Sequence, residues 1–316
     1  MPRITIHIPC YNYGRFVSEA IDSVLAQTFE DWEAIVIDDA STDDTADVLA
    51  RYHDPRLRMI RHTDNLGNIG TYNDAIRRAR SEFFVILSAD DRYRPRFLER
   101  VLAMFSEHPE AGVVYTNWER INGIGEPIPE RPTMPHATDG LYTEIPGLLE
   151  RSYVAGCCAV TRVATLHKMG LYDRRFPYTA DTFLWRRIAM VAPFGYVHEP
   201  LYEYRKHESE MTYTGDRPTV LETEHRKHLD LILSDPMTPA QIRANSKHFY
   251  AELYWTIAAW YARDGHWSMA GRSLAKAIVL DPMVWQPHGF RQRLWDKVFH
   301  PRRDVGPSAT GEREAA

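Results

Sequence analysis

Short apolar runs alternate with amphipathic stretches through the first half of the chain. Residues 3–8 (RITIHI), 33–37 (EAIVI), 57–61 (LRMIR), 83–87 (FFVIL) and 112–116 (GVVYT) are rich in β-branched and aromatic residues and read as strands. Between them, 15–27, 43–52, 70–80 and 95–107 carry apolar residues at helical spacing, as in Phe16, Ala20 and Val24, or Phe97, Val101 and Phe105. Thr42 or Asp43 offers an N-cap to the second of these helices, and Pro95 suits the first turn of the fourth. Strands alternating with helices predict a Rossmann-like α/β fold, a parallel sheet covered on both faces.

From 117 to 140, Gly, Pro, Asn and Thr replace the periodicity, which reads as a turn-rich excursion over the strand ends. An apolar run at 154–160, helices at 163–169 and 181–190, and strand-like pieces at 194–198 and 200–205 should complete the sheet and close a cleft. Beyond about residue 215 the pattern is helical, with segments 218–233, 239–263, 267–280 and 288–299 separated by Pro and Gly breaks. The stretch YWTIAAWYARDGHWSMAGRSLAKAIVLDP resembles one tetratricopeptide-type helix pair, with a helical cap on the preceding domain as the alternative. The expected organisation is one α/β domain over 1–215, a C-terminal helical extension over 216–300, and a polar tail over 301–316 too poor in apolar residues to pack.

At 316 residues and 44% hydrophobic content the chain can bury one large core with a smaller appended unit. Its 38 basic and 43 acidic residues leave a net charge of −5, which gives no general attraction for nucleic acid or anionic membrane. A partner must therefore be recognised locally, and nucleic acid is not expected. The cysteines, Cys10, Cys157 and Cys158, form neither a disulfide framework nor a CxxC pattern, which fits a reducing compartment. MPRITIHIPCYN lacks the regions of a signal peptide, and no window approaches the roughly 18 apolar residues of a spanning helix, so a cytoplasmic location is expected. The aromatic and basic segment holding Trp285, Phe290, Arg291, Arg293, Trp295, Lys297 and Phe299 offers peripheral contact with the inner face of a membrane, and the C-terminal helices offer a homo-oligomer contact.

The chemistry-bearing residues sit where an α/β sheet binds its ligands, just beyond the carboxyl ends of the strands. The first strand runs into Pro9, Cys10, Tyr11 and Asn12, the second into Asp38, Asp39, Ala40 and Ser41, and the fourth into Ser88, Ala89, Asp90 and Asp91. Adjacent carboxylates repel unless a cation or hydrogen-bond donors neutralise them, so Asp90 and Asp91 point to a metal site, with a helix N-cap as the alternative. Oxygen ligands of this kind favour Mg2+ or Mn2+ over zinc, and a magnesium-type ion completes its shell with water and substrate phosphates.

In combination, IPCYN, VIDDASTDDT and the SADD segment resemble family-2 glycosyltransferases of the GT-A type, over about residues 3–205. The resemblance implies a nucleotide-diphosphate-sugar donor, a UDP-sugar before dTDP- or GDP-sugars, an inverting transfer to a glycan or glycolipid acceptor, and a divalent cation, Mn2+ or Mg2+. It also assigns residues. Pro9, Tyr11, Asn12, Asp38, Asp39, Asn65 and Asp90 fall on the nucleotide side, and Asp90, Asp91 and His207 on the metal. Arg205 and Lys206 belong to a loop that closes on the diphosphate, and Trp185 and Cys157 to the acceptor side. Ser88 stands where the family often has the first Asp of Asp-x-Asp, which bears on metal dependence. In LYDRRFPYTADTFLWRRIA, Asp181 resembles the family's catalytic base, at the start of a helix; an N-cap is the plainer reading of the same residue. Alternatives to such an enzyme are a polyprenyl-phosphate glycosyltransferase and a non-catalytic scaffold on the same fold.

Overall fold

The computed structural model describes residues 1–129, 134–208 and 217–284. Four strands come first, β1 (Ile4–Cys10), β2 (Trp32–Asp38), β3 (Leu57–Arg61) and β4 (Phe83–Ile86), with helices α1 (Val17–Leu25), α2 (Thr45–Leu49) and α3 (Gly67–Arg78) between them. Strand β5 (Arg92–Tyr93), helix α4 (Phe97–Glu107) and strands β6 (Val113–Ile121), β7 (Pro127–Ile128) and β8 (Gly140–Tyr142) follow. Next are α5 (Ile145–Glu150), a 3₁₀ turn at Gly156–Cys158, β9 (Ala159–Arg162), α6 (Val163–Met169), α7 (Ala180–Ala189) and β10 (Phe194–Arg205). The remaining helices are α8 (Arg217–Ser234), α9 (Ala240–Ala244), α10 (Ser246–Arg263) and α11 (Trp267–Leu280).

The strands form one mixed sheet in the order β3, β2, β1, β4, β9, β6, β10, β5, with β7 beside β6 and β8 beside β10. Strands β3, β2, β1 and β4 are parallel, as the alternating pattern requires, and β9 enters antiparallel between β4 and β6. All seven residues of β2 are buried, the signature of a strand covered on both faces. The main core packs Ile4, Ile6 and Ile8 of β1 against Val17, Ile21 and Val24 of α1 and Phe97, Val101 and Phe105 of α4. The register sets Cys10 beside Asp38 and Asp38 beside Arg61, so the segments leaving these strands emerge along one edge.

The five expected early strands and the helix over 163–169 are present, with ends shifted by a few residues. Elsewhere the structure corrects the pattern. The 117–140 region is only partly loop, because β6 runs on to Ile121 and β7 and β8 add to the sheet. The pieces at 194–198 and 200–205 are one strand, β10, whose pairing with β6 shifts register around Pro200, where a missing N–H interrupts the ladder. Helix α2 starts at Thr45, and Asp43 Oδ1 accepts from both Thr45 N (3.0 Å) and Thr45 Oγ1 (2.5 Å). Helix α4 starts at Phe97, beyond Pro95, whose carbonyl instead accepts from Thr28 N at 2.9 Å. The long helix expected over 239–263 breaks at Asn245 into α9 and α10.

The chain divides into two compact units, Met1–Ala244 and Asn245–Ala316, so α8 and α9 belong with the sheet. Within the second unit, α10 and α11 form a helical hairpin around Gly265, a left-handed position (φ +81°), with His248 Nδ1 2.9 Å from Asp281 Oδ2 tying its open end. Among the described residues no helix is long and apolar enough to cross a membrane. The helix expected over 288–299, the aromatic and basic segment from Trp285 and the 301–316 tail lie outside the described residues.

Candidate active site

Two left-handed residues mark the strand ends that form the site. Asn12 (φ +61°) follows β1 and Ala40 (φ +64°) follows β2. A non-glycine residue pays for that conformation, and the surroundings hold it there. Asn12 Oδ1 accepts from Thr42 N at 2.8 Å, and its own N–H reaches Ser41 Oγ at 2.9 Å, locking the two loops together. Above them opens a cavity of about 1050 Å³ lined by Pro9, Tyr11, Asn12, Tyr13, Arg15, Phe16, Asp39, Asp43, Asp44, Asn65, Gly67, Asn68, Gly123, Lys206, His207 and Glu208. Tyr11 is 43% exposed there, an aromatic face open to a planar ligand.

Asp39 is buried and ties the donor-side loop. Its Oδ1 lies 2.6 Å from His62 Nδ1 and accepts from Leu66 N at 3.0 Å, while Oδ2 accepts from Gly67 N at 2.8 Å. His62 reaches Asp74 with its other nitrogen at 3.4 Å, so it braces Asp39 from behind. Asp38, assigned with it to the nucleotide, is instead 2% exposed and closes its own turn, accepting from Ser41 N at 2.9 Å and pairing with Arg61 at 3.4 Å. Strand β2 ends at Asp38, whose carboxylate is taken up by its own turn and Arg61, while Asp39 is the first residue beyond the strand and lines the cavity.

The Asp90–Asp91 pair divides in the same way. Asp90 Oδ2 lies 3.0 Å from His207 Nε2, and burial first, then the nearby Asp90 charge, raise the Tyr13 phenol above its ordinary range. Asp91 turns inward, 2% exposed, where it accepts from Tyr202 Oη and from Arg205 N at 2.7 Å. Burial first, and then the neighbouring Asp90 charge, push the Asp91 carboxyl well above the usual range. Asp91 thus joins β10 to the end of β4 and is not available to a metal. Arg205, assigned to the diphosphate loop, is fully buried as well. Its guanidinium bonds Glu19 at 2.6 Å, the Asp90 carbonyl at 2.6 Å and the Gly123 carbonyl at 3.3 Å, bracing the Asp90 loop from beneath. Lys206 and His207, one and two residues on, line the cavity.

Among the described residues no group of three His, Cys, Asp or Glu side chains gathers as a metal cage. His207 lines the cavity and Asp90 contacts it, so the pair supplies one imidazole and one carboxylate, which fits an ion that takes its remaining ligands from water and phosphate.

A second cavity of about 170 Å³ holds Asp181 with Asn68, Ile69, Tyr72, Ile86, Gly156, Cys157, Tyr172, Pro177, Tyr178 and Ala180. A third, about 380 Å³, is lined by Leu66, Gly67, Asn68, Ile69, Gly70, Arg174, Pro177 and Tyr178. Asn68 lines all three, so the spaces adjoin. Asp181 lies in the first turn of α7, where Oδ1 accepts from Thr182 N at 2.6 Å, and burial raises its carboxyl above the usual range. A carboxylate with raised proton affinity in a cleft is suited to accept a proton. Cys157 lines this cavity, its Sγ 3.0 Å from Ser88 Oγ, so the serine that replaces an acidic residue is engaged by a thiol. Trp185, assigned to the acceptor side, is 1% exposed in the core behind Tyr172 and lines none of these cavities.

Sequence reasoning missed several residues of these walls. Tyr13 and Arg15 follow the end of β1 and obey the same positional rule as Tyr11 and Asp39, so that signal was present. Tyr72, Tyr172, Tyr178 and Gly156 had none, because they reach the cleft only through the packing of α3, the 3₁₀ turn and α7.

Comparison with known proteins identifies the family and the fold. Glycosyl transferase family 2 matches residues 5–170, more than half of the chain. An uncharacterised glycosyltransferase of Rickettsia typhi is 30% identical over 216 residues, which span 68% of this chain and 67% of that protein. The chain belongs to glycosyl transferase family 2, and it is an enzyme of the glycosyltransferase class. Its fold is GT-A. The crystal structure of S. aureus TarS 1–349 in complex with UDP-GlcNAc superimposes with a TM-score of 0.63 at 16% identity, covering 92% of each chain. The mannosyltransferase PcManGT of Pyrobaculum calidifontis, in complex with GDP-Man and Mn2+, gives 0.60 at 18% identity, covering 94% of this chain and 79% of that one.

Proposed function

We propose that this chain is an inverting glycosyltransferase that moves a sugar from a nucleoside-diphosphate donor to a hydroxyl of a glycan, lipid-linked oligosaccharide or cell-surface polymer precursor. The observation that carries the reading is the run of adjoining cavities through Asn68, with Tyr11 and Asp39 at one end and Asp181 at the other. Tyr11 offers its ring to the base, and Asp39, braced by His62, keeps the 65–67 loop in place beside it. Lys206 offers positive charge to the leaving diphosphate. The acceptor hydroxyl attacks the anomeric carbon as the bond to the diphosphate breaks, and Asp181 takes the hydroxyl proton. Asp90 and His207 would hold a divalent cation, which when bound supplies charge that stabilises the leaving diphosphate. A UDP-sugar is the favoured donor, with dTDP- and GDP-sugars next. The solved neighbours, with UDP-GlcNAc in one and GDP-Man with Mn2+ in the other, support a donor of this class.

Calorimetric titration with UDP, GDP, dTDP and CDP, each with Mn2+ and with EDTA, tests the reading. One nucleotide should bind, more tightly with Mn2+, and Asp90→Ala should remove that enhancement. Failure of all four to bind would refute the donor class, and equal affinity in EDTA would refute the metal.

A further inference from the structure

Helix α8 follows the stretch matched by the family and lines none of the three cavities, yet beside Leu229 and Ile232 it buries several polar side chains. Glu224 is 5%, His225 7% and His228 0% exposed. Buried polar groups of this kind persist only when they are paired, and these are paired to α7. Thr179, the residue that opens α7, donates its hydroxyl to Glu224 Oε2 at 2.6 Å, and Tyr178 N donates to the same oxygen at 3.3 Å. His228 Nε2 lies 3.1 Å from Thr179 Oγ1, and His228 Nδ1 lies 3.1 Å from Arg186 Nη1.

The proton positions follow from chemistry. A guanidinium only donates, so His228 Nδ1 accepts from Arg186, and the neutral ring carries its proton on Nε2. That proton goes to Thr179 Oγ1, whose own proton goes to Glu224. The chain of bonds has one direction, Arg186 to His228 to Thr179 to Glu224, with a cation at one end and a carboxylate at the other. His228 is kept neutral by burial and by the neighbouring Arg186 charge, and rings of Phe176 and Phe183 lie against it at 4.3 and 4.9 Å. Arg186 also donates through Nε to the Leu148 carbonyl at 2.8 Å, so both ends of the relay are anchored. Thr179 and Arg186 bracket the first turns of α7, and Asp181 stands between them.

We propose that Glu224 and His228 of α8 are positioning residues for transfer, which hold Thr179 and the start of α7 so that Asp181 and Tyr178 face the acceptor cavity. The catalytic region then extends through α8. The proposal rests on Asp181 as the base, and its test separates the two. The Asp181 carboxyl is followed against pH by NMR on aspartate-labelled protein carrying 13C in the side-chain carboxyls, with Asp181→Asn assigning the signal. In the parent, where burial raises the carboxyl, Asp181 should titrate above the ordinary aspartate range. Thr179→Val, which is isosteric but breaks both relay bonds, should let α7 open to water and return Asp181 toward that range, and Thr179→Ser should restore the parent titration. Glu224→Gln, which removes the terminal charge while keeping volume, should act in the same direction as Thr179→Val and decides the matter if Thr179→Val does not fold. With donor and acceptor present, Thr179→Val should lower kcat by about 10- to 100-fold with donor affinity unchanged, the usual consequence of a misplaced catalytic group. An unchanged Asp181 titration in a folded Thr179→Val or Glu224→Gln variant would overturn the relay, whatever Asp181→Asn does to turnover. Full turnover in Asp181→Asn would instead remove the base while leaving the relay's effect on the titration standing.

Discussion

Replacing Asp181 with Asn removes a proton acceptor and little else. The Asn side chain keeps the volume and retains an oxygen able to accept from Thr182 N, which Asp181 Oδ1 does at 2.6 Å. General-base catalysis contributes about 100- to 10,000-fold, or about 2.7–5.5 kcal/mol of barrier, so turnover in Asp181→Asn should fall by at least about 100-fold. Nucleotide affinity should not move, because Asp181 lines the second cavity and not the one holding Tyr11 and Asp39. The pH dependence follows from the direction of its shift. Burial raises the Asp181 carboxyl, and the base acts ionised, so parent turnover should rise with pH through a value above the ordinary aspartate pKa of about 3.9. The same shift sets the stability. A carboxyl whose folded pKa is raised contributes stability that is fully present below its unfolded pKa and is lost as pH rises through the folded one. Asn carries no charge to bury, so Asp181→Asn should melt no lower than the parent at neutral pH and should lose the parent's stability change on the acid side. Release of nucleoside diphosphate in the presence of acceptor, calorimetry with the nucleotide and thermal melts at pH 4 and 7.5 read these outcomes. Near-parent turnover, or lost nucleotide binding together with a lower melting temperature, would show Asp181 to be a structural residue.

Asp91→Asn should keep nucleotide binding and its enhancement by Mn2+, since the amide can serve both Tyr202 Oη and Arg205 N; loss of the enhancement would return Asp91 to the metal. Asp91→Ala should instead cost about 1–3 kcal/mol in urea unfolding, because it leaves buried donors without a partner. A Cβ at Gly156 would lie 3.1 Å from Asp181 Oδ2, so Gly156→Ala should crowd the carboxylate and lower kcat by about 10-fold with nucleotide affinity unchanged. Parent-like turnover in Gly156→Ala would mean that the approach to Asp181 lies elsewhere.

The sequence by itself determined the α/β class, the early strands and the edge where chemistry gathers. Local pattern is sufficient for these, since strand and helix periods are set over a few residues and ligands bind beyond strand ends whatever the loops do. It placed Tyr11, Asp39 and Asp90 just beyond strand ends for the same reason, whereas Asp181, in the first turn of α7, was singled out only by its resemblance to a family motif. Only the tertiary structure decided that Asp39 of the first acidic pair lines the cavity and that Asp90 of the second meets His207, which lines it. Asp38 and Asp91 have the composition of ligands, but Asp91 is claimed by Tyr202 and Arg205 of β10, a strand far along the chain, and Asp38 by its own turn and Arg61. Arg205 reads as a loop cation until β10 buries it against Glu19, and Trp185 as an acceptor platform until α7 turns it into the core. The relay from Glu224 to Arg186 had no sequence signal, since a polar face on a helix reads as a solvated one until another helix covers it. Long-range packing assigns partners to buried polar groups, and those partners decide which side chains remain for the ligand.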